Sequence, residues 1–392
     1  MTLLLIVIYI AFIGLGVPDS LFGAAMPAIV ADFNLPLSAP NLVTMVVSGC
    51  TVLSSVFSAP LLKRLGTAKV TALSTTMTAL ALLGYSLSGN ILFMLLCAIP
   101  LGLGAGAIDA GLKNFIALHY GATHMNFLHC FYGLGVIISP YLMSLMLERS
   151  GWRAGYLAAC CLQGSIALIL FLSLPLWKRA TTAKEESAEE EMRTISVGQM
   201  LKMPTMRPTF LISFASNAVE AISGIWGSTY LIHVHNLATE EGARAMILYY
   251  VGMTLGRFLS GVFASKLGSR KLIRVGLGVL TAGVLLLLLP LGSVALSITA
   301  LFLIGLGNGP IYPNFVNLVP ENFGRDISAS VIGGQMGVAY FGFMVTPPLF
   351  GVTAQLLDVG TMPVVLTIWL ALLIAGLLLL NNCLRKEGKL VI

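Results

Sequence analysis

Five ionisable side chains interrupt stretches of sequence that are otherwise apolar: Asp19, Asp109, Lys113, Glu220 and Arg257. A charge at bilayer depth costs roughly 2.5 to 3.5 kcal/mol even on a lenient insertion scale, so each is a functional candidate by default. Asp19 follows Pro18 near the middle of the first apolar run, where the proline ring removes a backbone hydrogen bond and favours a kink. Loss of solvent penalises the charged form of a carboxyl, which makes proton uptake and release available to it. Asp19 and Glu220 are the candidates for proton coupling on this ground. Asp109 and Lys113 stand four residues apart on one helix face, a spacing that permits an ion pair. Asp109 either binds solute hydroxyls or is held in a neutral clasp, with Lys113 as its structural partner. Arg257, within Gly256-Arg257-Phe258, needs a carboxylate or carbonyls to be tolerated there, so structural pairing is its expected role too.

Uncharged polar residues extend the set. Asn114 adds an amide beside Lys113, Asn126 and His129 share a helix face, and Asn217 precedes Glu220 by one turn, with Trp226 and Tyr230 beyond it. Tyr312, Asn314 and Gln335 add polar groups in the second half of the chain. Carboxylates and amides exchange hydrogen bonds with hydroxyls, and an aromatic ring covers an apolar ring face. Together these form a cradle for a small sugar-like solute; the competing reading of Trp226 and Tyr230 is an interfacial aromatic belt. No nucleophile and base motif and no metal-ligand spacing is visible, so an enzyme, a metal or an organic cofactor is not expected, only a proton as coupling ion.

The elements that hold these groups follow from composition. Hydrophobic residues make up 57% of the 392 and charged ones 10%, against about 25% charged in ordinary soluble domains. A spanning helix needs roughly 20 mostly apolar residues, and twelve such runs are present: 3–31, 41–62, 70–88, 91–118, 125–147, 155–177, 208–232, 244–265, 272–290, 294–319, 328–350 and 361–382. The first lacks a basic flank and a cleavage signal and reads as a retained helix. The six cysteines lie in or at the ends of these runs, as small hydrophobes and not as a disulfide framework.

A net charge of +6 does not point to nucleic acid, because the basic residues follow topology. Seventeen of the 22 Lys and Arg fall in the C-terminal tail and the loops of one side, three (Arg149, Arg153, Arg244) on the other. By the positive-inside rule both termini and the central loop are cytoplasmic. That loop, 178–207, holds the acidic run AKEESAEEEMR and reads as a solvated linker between bundles at 1–177 and 208–392.

The two halves repeat. Gly49-x-Thr51 followed by Arg64-Leu65-Gly66-Thr67-Ala68-Lys69 returns as Gly252-x-Thr254 followed by Lys266-Leu267-Gly268-Ser269-Arg270-Lys271. Gly102-Leu103-Gly104-Ala105-Gly106 returns as Gly305-Leu306-Gly307-Asn308-Gly309, at an offset near 203 residues. Glycines inside apolar spans let helix backbones approach closely; a dinucleotide loop is excluded because no strand precedes them. The fold class expected is an all-α integral membrane protein of two pseudo-symmetric six-helix bundles.

Parallel six-helix halves resemble the major facilitator superfamily, whose substrate sites sit near the bilayer midplane between the halves. The loops after the second and eighth spans are similar to that superfamily's Gly-x-x-x-Asp-Arg-x-Gly-x-Arg-Lys signature, except that Lys63 and Ser265 stand where an acid is expected. Within the superfamily the chain resembles the fucose permease group of sugar and proton symporters. That likeness is carried by Asp19, Gly106-Ala107-Ile108-Asp109 leading to Asn114, Met125-Asn126-Phe127-Leu128-His129, Glu220 with Gly224 and Trp226, and Gly309-Pro310-Ile311-Tyr312-Pro313. The resemblance implies protonation at Asp19, sugar recognition at Asp109, and alternating access by a monomer in the cell inner membrane, exchanging only a small-molecule solute. A proton-antiport exporter of drugs or metabolites is the alternative.

Overall fold

A computed structural model describes residues 2–35, 40–177, 193–237, 239–289 and 292–392. Most of the acidic run expected in the linker lies outside these residues. Fourteen α-helices and one 3₁₀ turn account for nearly all of the described chain, and no strand occurs among the described residues. In order they are α1 (Thr2–Phe33), α2 (Pro40–Val56), α3 (Ser58–Ser86), α4 (Ile91–His119), α5 (Ala122–Arg149), α6 (Trp152–Leu172) and α7 (Val197–Lys202). There follow α8 (Met206–His235), α9 (Thr239–Leu288), α10 (Val294–Asn308), α11 (Ile311–Asn317), α12 (Val319–Phe323), α13 (Ser328–Leu356), a 3₁₀ turn (Val359–Thr361) and α14 (Met362–Lys386). The short α7, inside the expected linker, starts on a capping box in which Ser196 and Gln199 each satisfy the other's backbone N–H, a reciprocal arrangement that covers two otherwise unpaired donors.

Among the described residues eight helices are long and apolar enough to cross a membrane, or nine if the bent pair α2 and α3 forms one span. The seventh expected span, within α8, is not among these helices, and the rest of the difference from twelve has a local cause. Gly66, within α3, has φ 76° and ψ 157°, and Gly268, within α9, has φ 73° and ψ 158°. Both values are closed to residues with a Cβ, and both break helical geometry inside the repeated loops, between the second and third and between the eighth and ninth expected spans. Near-identical dihedrals at repeat-related positions make the two loops the same structural device. The tenth span is likewise divided, into α10 and α11 around Gly309 and Pro310. Pro18, by contrast, does not interrupt α1.

By contact the chain forms two compact units. The first comprises Met1–Phe115, Leu128–Thr194 and Arg325–Gly337; the second comprises Ile116–Phe127, Ile195–Gly324 and Val338–Ile392. In the first, Val17, Leu21, Leu82, Tyr85, Met94 and Tyr156 belong to a buried core drawn from α1, α3, α4 and α6. Within it α2 and α4 approach closely: a Cβ on Gly102 would lie 2.3 Å from the Val47 carbonyl and one on Gly106 2.3 Å from the Thr51 carbonyl. The start of α13 belongs to this unit: Ala329 packs with Ala59, Leu62 and Ala107.

In the second unit, Val219, Tyr249, Leu280, Ile304, Phe315 and Leu366 are among the residues of the core. A Cβ on Gly305 would lie 2.3 Å from the Tyr249 carbonyl, and one on Gly309 2.6 Å from that of Met253, so α10 meets α9 as α4 meets α2. The turn between α4 and α5 belongs here: Phe127 fills the space beside Gly261, where a Cβ would lie 2.6 Å from its ring. Both units expose large apolar side chains on their outer helix faces, Leu80, Leu96 and Leu168 in the first and Leu285, Leu349 and Leu378 in the second. Apolar surface on this scale is at home in lipid, where helices satisfy their own backbone groups.

Candidate functional site

In the first unit, α1 and α5 touch backbone to backbone. A Cβ on Gly16 would meet the Tyr132 carbonyl at 2.2 Å, and one on Gly135 the Ile13 carbonyl at 2.1 Å. That approach brings the Tyr132 hydroxyl to Asp19, to which it donates a short hydrogen bond. One residue on, Ser20 donates to the Val136 carbonyl at 2.6 Å and accepts from the Ser139 hydroxyl at 2.6 Å, locking the register. Asp19 itself remains exposed and lies within electrostatic range of Asp109.

Asp109 and Lys113 form the ion pair their spacing allowed, 2.9 Å long with side chains 3% and 4% exposed. Lys113 Nζ also reaches the Met336 sulfur of α13 at 3.4 Å. Asn114 accepts a 2.7 Å hydrogen bond from Ser328. Gln335, one residue before Met336, is fully buried, and neither Oε1 nor Nε2 has a hydrogen-bond partner among the described residues. Buried polar groups are nearly always satisfied, and leaving one unpaired costs about 1 to 3 kcal/mol, so Gln335 is the polar side chain of this unit best placed to gain from a ligand. His129 is buried on α5.

The second unit holds the remaining candidates. Glu220 on α8 meets Arg257 on α9, with Nη2 at 3.2 and 3.4 Å from the two carboxylate oxygens. The Tyr249 hydroxyl donates to the Glu220 carbonyl at 3.1 Å, and that of Tyr250 to the Gly224 carbonyl at 3.2 Å. Asn217 donates to the Ser213 carbonyl in its own helix. Asn126 donates to Ala122, and the Asn314 amide reaches Asn126 Oδ1 at 3.5 Å, Ser260 at 2.7 Å and the Pro310 carbonyl at 2.7 Å. Tyr312 is buried beside them on α11.

Trp226 donates to the Pro347 carbonyl at 3.0 Å and packs edge-on against Phe350 with ring centroids 5.3 Å apart. Its ring is thus engaged with α13, and Tyr230 lies in the core of the second unit. Tyr132, Ser328 and Met336 escaped the reading of the sequence as partners. Only the glycines of α1 and α5 carried any signal, for Tyr132. No group of three or more His, Cys, Asp or Glu residues able to hold a metal occurs among the described residues.

These features define a polytopic helical membrane protein. Residues 8–347 and 245–384 match the model of the Major Facilitator Superfamily. The chain is similar to the glucose/mannose transporter GlcP of Bacillus subtilis, 21% identical over 75% of each chain. It is also similar to the cis,cis-muconate transport protein of Acinetobacter baylyi, 21% identical over 88% of this chain and 86% of that one. A variant of the E. coli fucose:proton symporter FucP shares the fold at a TM-score of 0.72 and 14% identity, over 95% and 97% of the two chains. The chain belongs to the Major Facilitator Superfamily. Family and fold are those of multi-pass membrane transporters of small molecules.

Proposed function

We propose that this chain imports a sugar or polyol in symport with protons, by alternating access between bundles at 1–177 and 208–392 joined by the linker 178–207. It works as a monomer in the cell inner membrane with both termini cytoplasmic, as the distribution of Lys and Arg favours. The carrying observation is Asp19: a carboxyl in the middle of a spanning helix, accessible, and held by Tyr132. A carboxyl so placed exchanges protons at a depth where its charge is expensive, and Tyr132 is the switchable partner that receives or releases it. Glu220 is the second proton-coupling candidate.

The solute-binding candidates are Asp109, Gln335 and His129 in the first unit and Tyr312 and Asn314 in the second, with Gln335 offering both a donor and an acceptor. Asn114, Asn126, Asn217 and Trp226 already hold partners in the fold, and they contribute by fixing the helices that present the set. Lys113 and Arg257 neutralise the carboxylates. The fold shared with a sugar symporter and the kinship with a glucose/mannose transporter support the sugar reading. A substrate panel in proteoliposomes with and without an inward proton gradient tests it. Gradient-driven uptake of a neutral sugar or polyol is expected; outward movement of lipophilic cations against proton entry refutes import.

A further inference from the structure

Six ion pairs join described residues, and five of them close at 2.7 to 2.9 Å. Charge-assisted N–H···O bonds have this length. The sixth, Arg257 with Glu220, is loose at 3.2 Å, although both groups lie within expected apolar spans, where a well-made pair has most to gain. The guanidinium approaches through Nη2 alone. Its Nε is buried and has no hydrogen-bond partner among the described residues. Nε and Nη2 share one edge of the guanidinium, the edge that grips a carboxylate with two parallel bonds. Glu220 thus occupies half of a fork, and its side chain keeps 24% of its surface exposed against 12% for Arg257.

The surroundings suit an anion that also carries hydroxyls. Tyr249 and Tyr250 are the titratable residues of α9 that face Glu220. The exposed Tyr250 ring and its hydroxyl lie one turn along α8. Ser223, on the same face of α8 as Glu220, is fully buried, with its hydroxyl unpartnered among the described residues.

We infer that Arg257 is the anchor for a carboxylate on the transported solute, with Glu220 as its placeholder, so that the preferred cargo is a polyhydroxylated acid such as a sugar acid. The incoming carboxylate takes the Nε and Nη2 edge and displaces Glu220, whose carboxylate, left without its cation inside the span, takes a proton from the open side. One anion and one proton then cross together, and the loaded unit gains no charge. This deepens the reading of the chain as a proton-coupled importer of a polar solute and rests on it.

The test is uptake and ligand-induced thermal stabilisation of the full chain in proteoliposomes and detergent, with D-gluconate and D-glucuronate as acids and D-glucose and sorbitol as neutral probes. The acids are expected to bind at least about tenfold more tightly than their neutral counterparts. Arg257→Gln is expected to weaken acid binding by at least about 30-fold, equivalent to about 2 kcal/mol, and Arg257→Lys to restore part of it. Glu220→Gln, which removes the competing carboxylate, is expected to tighten acid binding, whereas a merely structural pair would weaken it. Thermal midpoints of the variants without ligand separate misfolding from lost recognition. Uptake of glucose or sorbitol that neither acid inhibits overturns the anchor and leaves the importer standing. Gradient-independent behaviour of every probe overturns both.

Discussion

Removing one member of the Asp109–Lys113 pair should destabilise the first unit, and removing both should not. The pair is 2.9 Å long and 3 to 4% exposed, so little water is available to replace a lost partner. Breaking a buried pair costs about 3 to 5 kcal/mol, because the survivor keeps its charge. An independent bound gives the same size. In Lys113→Met the stranded carboxyl can escape by taking a proton, and holding an ordinary carboxyl protonated at pH 7 costs about 4 kcal/mol, at 1.36 kcal/mol for each of roughly three pH units. At about 2 to 4 °C per kcal/mol for a domain of this size, the thermal midpoint should fall by roughly 6 to 20 °C in Lys113→Met and in Asp109→Asn.

The double variant Asp109→Asn with Lys113→Met leaves an amide and an apolar chain beside Met336, and its midpoint should return to within a few degrees of the parent. Intrinsic fluorescence of the detergent-purified protein during heating, with a check for monodispersity, measures all three. Uptake then decides the role of Asp109: the restored double variant should remain unable to accumulate solute. Single variants that melt with the parent would refute the energetic argument, and a double variant that transports would make the pair a clasp and nothing more.

Other consequences follow from close contacts and special dihedrals. Gly106→Ala and Gly305→Ala each set a Cβ 2.3 Å from a backbone oxygen and should cost about 1 to 3 kcal/mol by overpacking; Gly23→Ala and Gly278→Ala, which meet nothing within 4 Å, are the controls and should be neutral or stabilising in the same melts. Gly66→Ala and Gly268→Ala should each cost about 1 to 3 kcal/mol and by similar amounts, since the two glycines share φ and ψ. Asp358 lies outside the spans, where the Gly360 backbone N–H and then His233 hold its carboxyl below the ordinary value of 3.8. A depressed carboxyl stabilises the fold fully above 3.8 and loses that contribution as pH falls below it, so Asp358→Asn should lower the midpoint at pH 7 more than at pH 3.

The repeat was legible in the sequence because glycine has little other reason to recur at matched positions within apolar runs, and the contacts of Gly102, Gly106, Gly305 and Gly309 supply the reason. The loop glycines were visible as sequence but not as breaks within continuous helix, since hydropathy carries no dihedral information. Of the site, what depends on one helix was readable: Asp109 and Lys113 pair because four residues is about one turn. Arg257 announced that it needed a partner but not which, and Glu220 came from another helix. Tyr132, Ser328 and Met336 reach their partners across more than a hundred residues of chain, and no periodicity encodes such meetings. Trp226 was read for its ring face, whereas its N–H and packing against Phe350 tie it to α13.

Proton coupling at Asp19 is most directly measured by solute accumulation in proteoliposomes under an imposed inward proton gradient, run beside equilibrium exchange of the same solute without a gradient. The parent should concentrate the solute and exchange it; Asp19→Asn should still exchange it but no longer concentrate it. Undiminished gradient-driven accumulation by Asp19→Asn would contradict a proton-carrying role for this carboxyl.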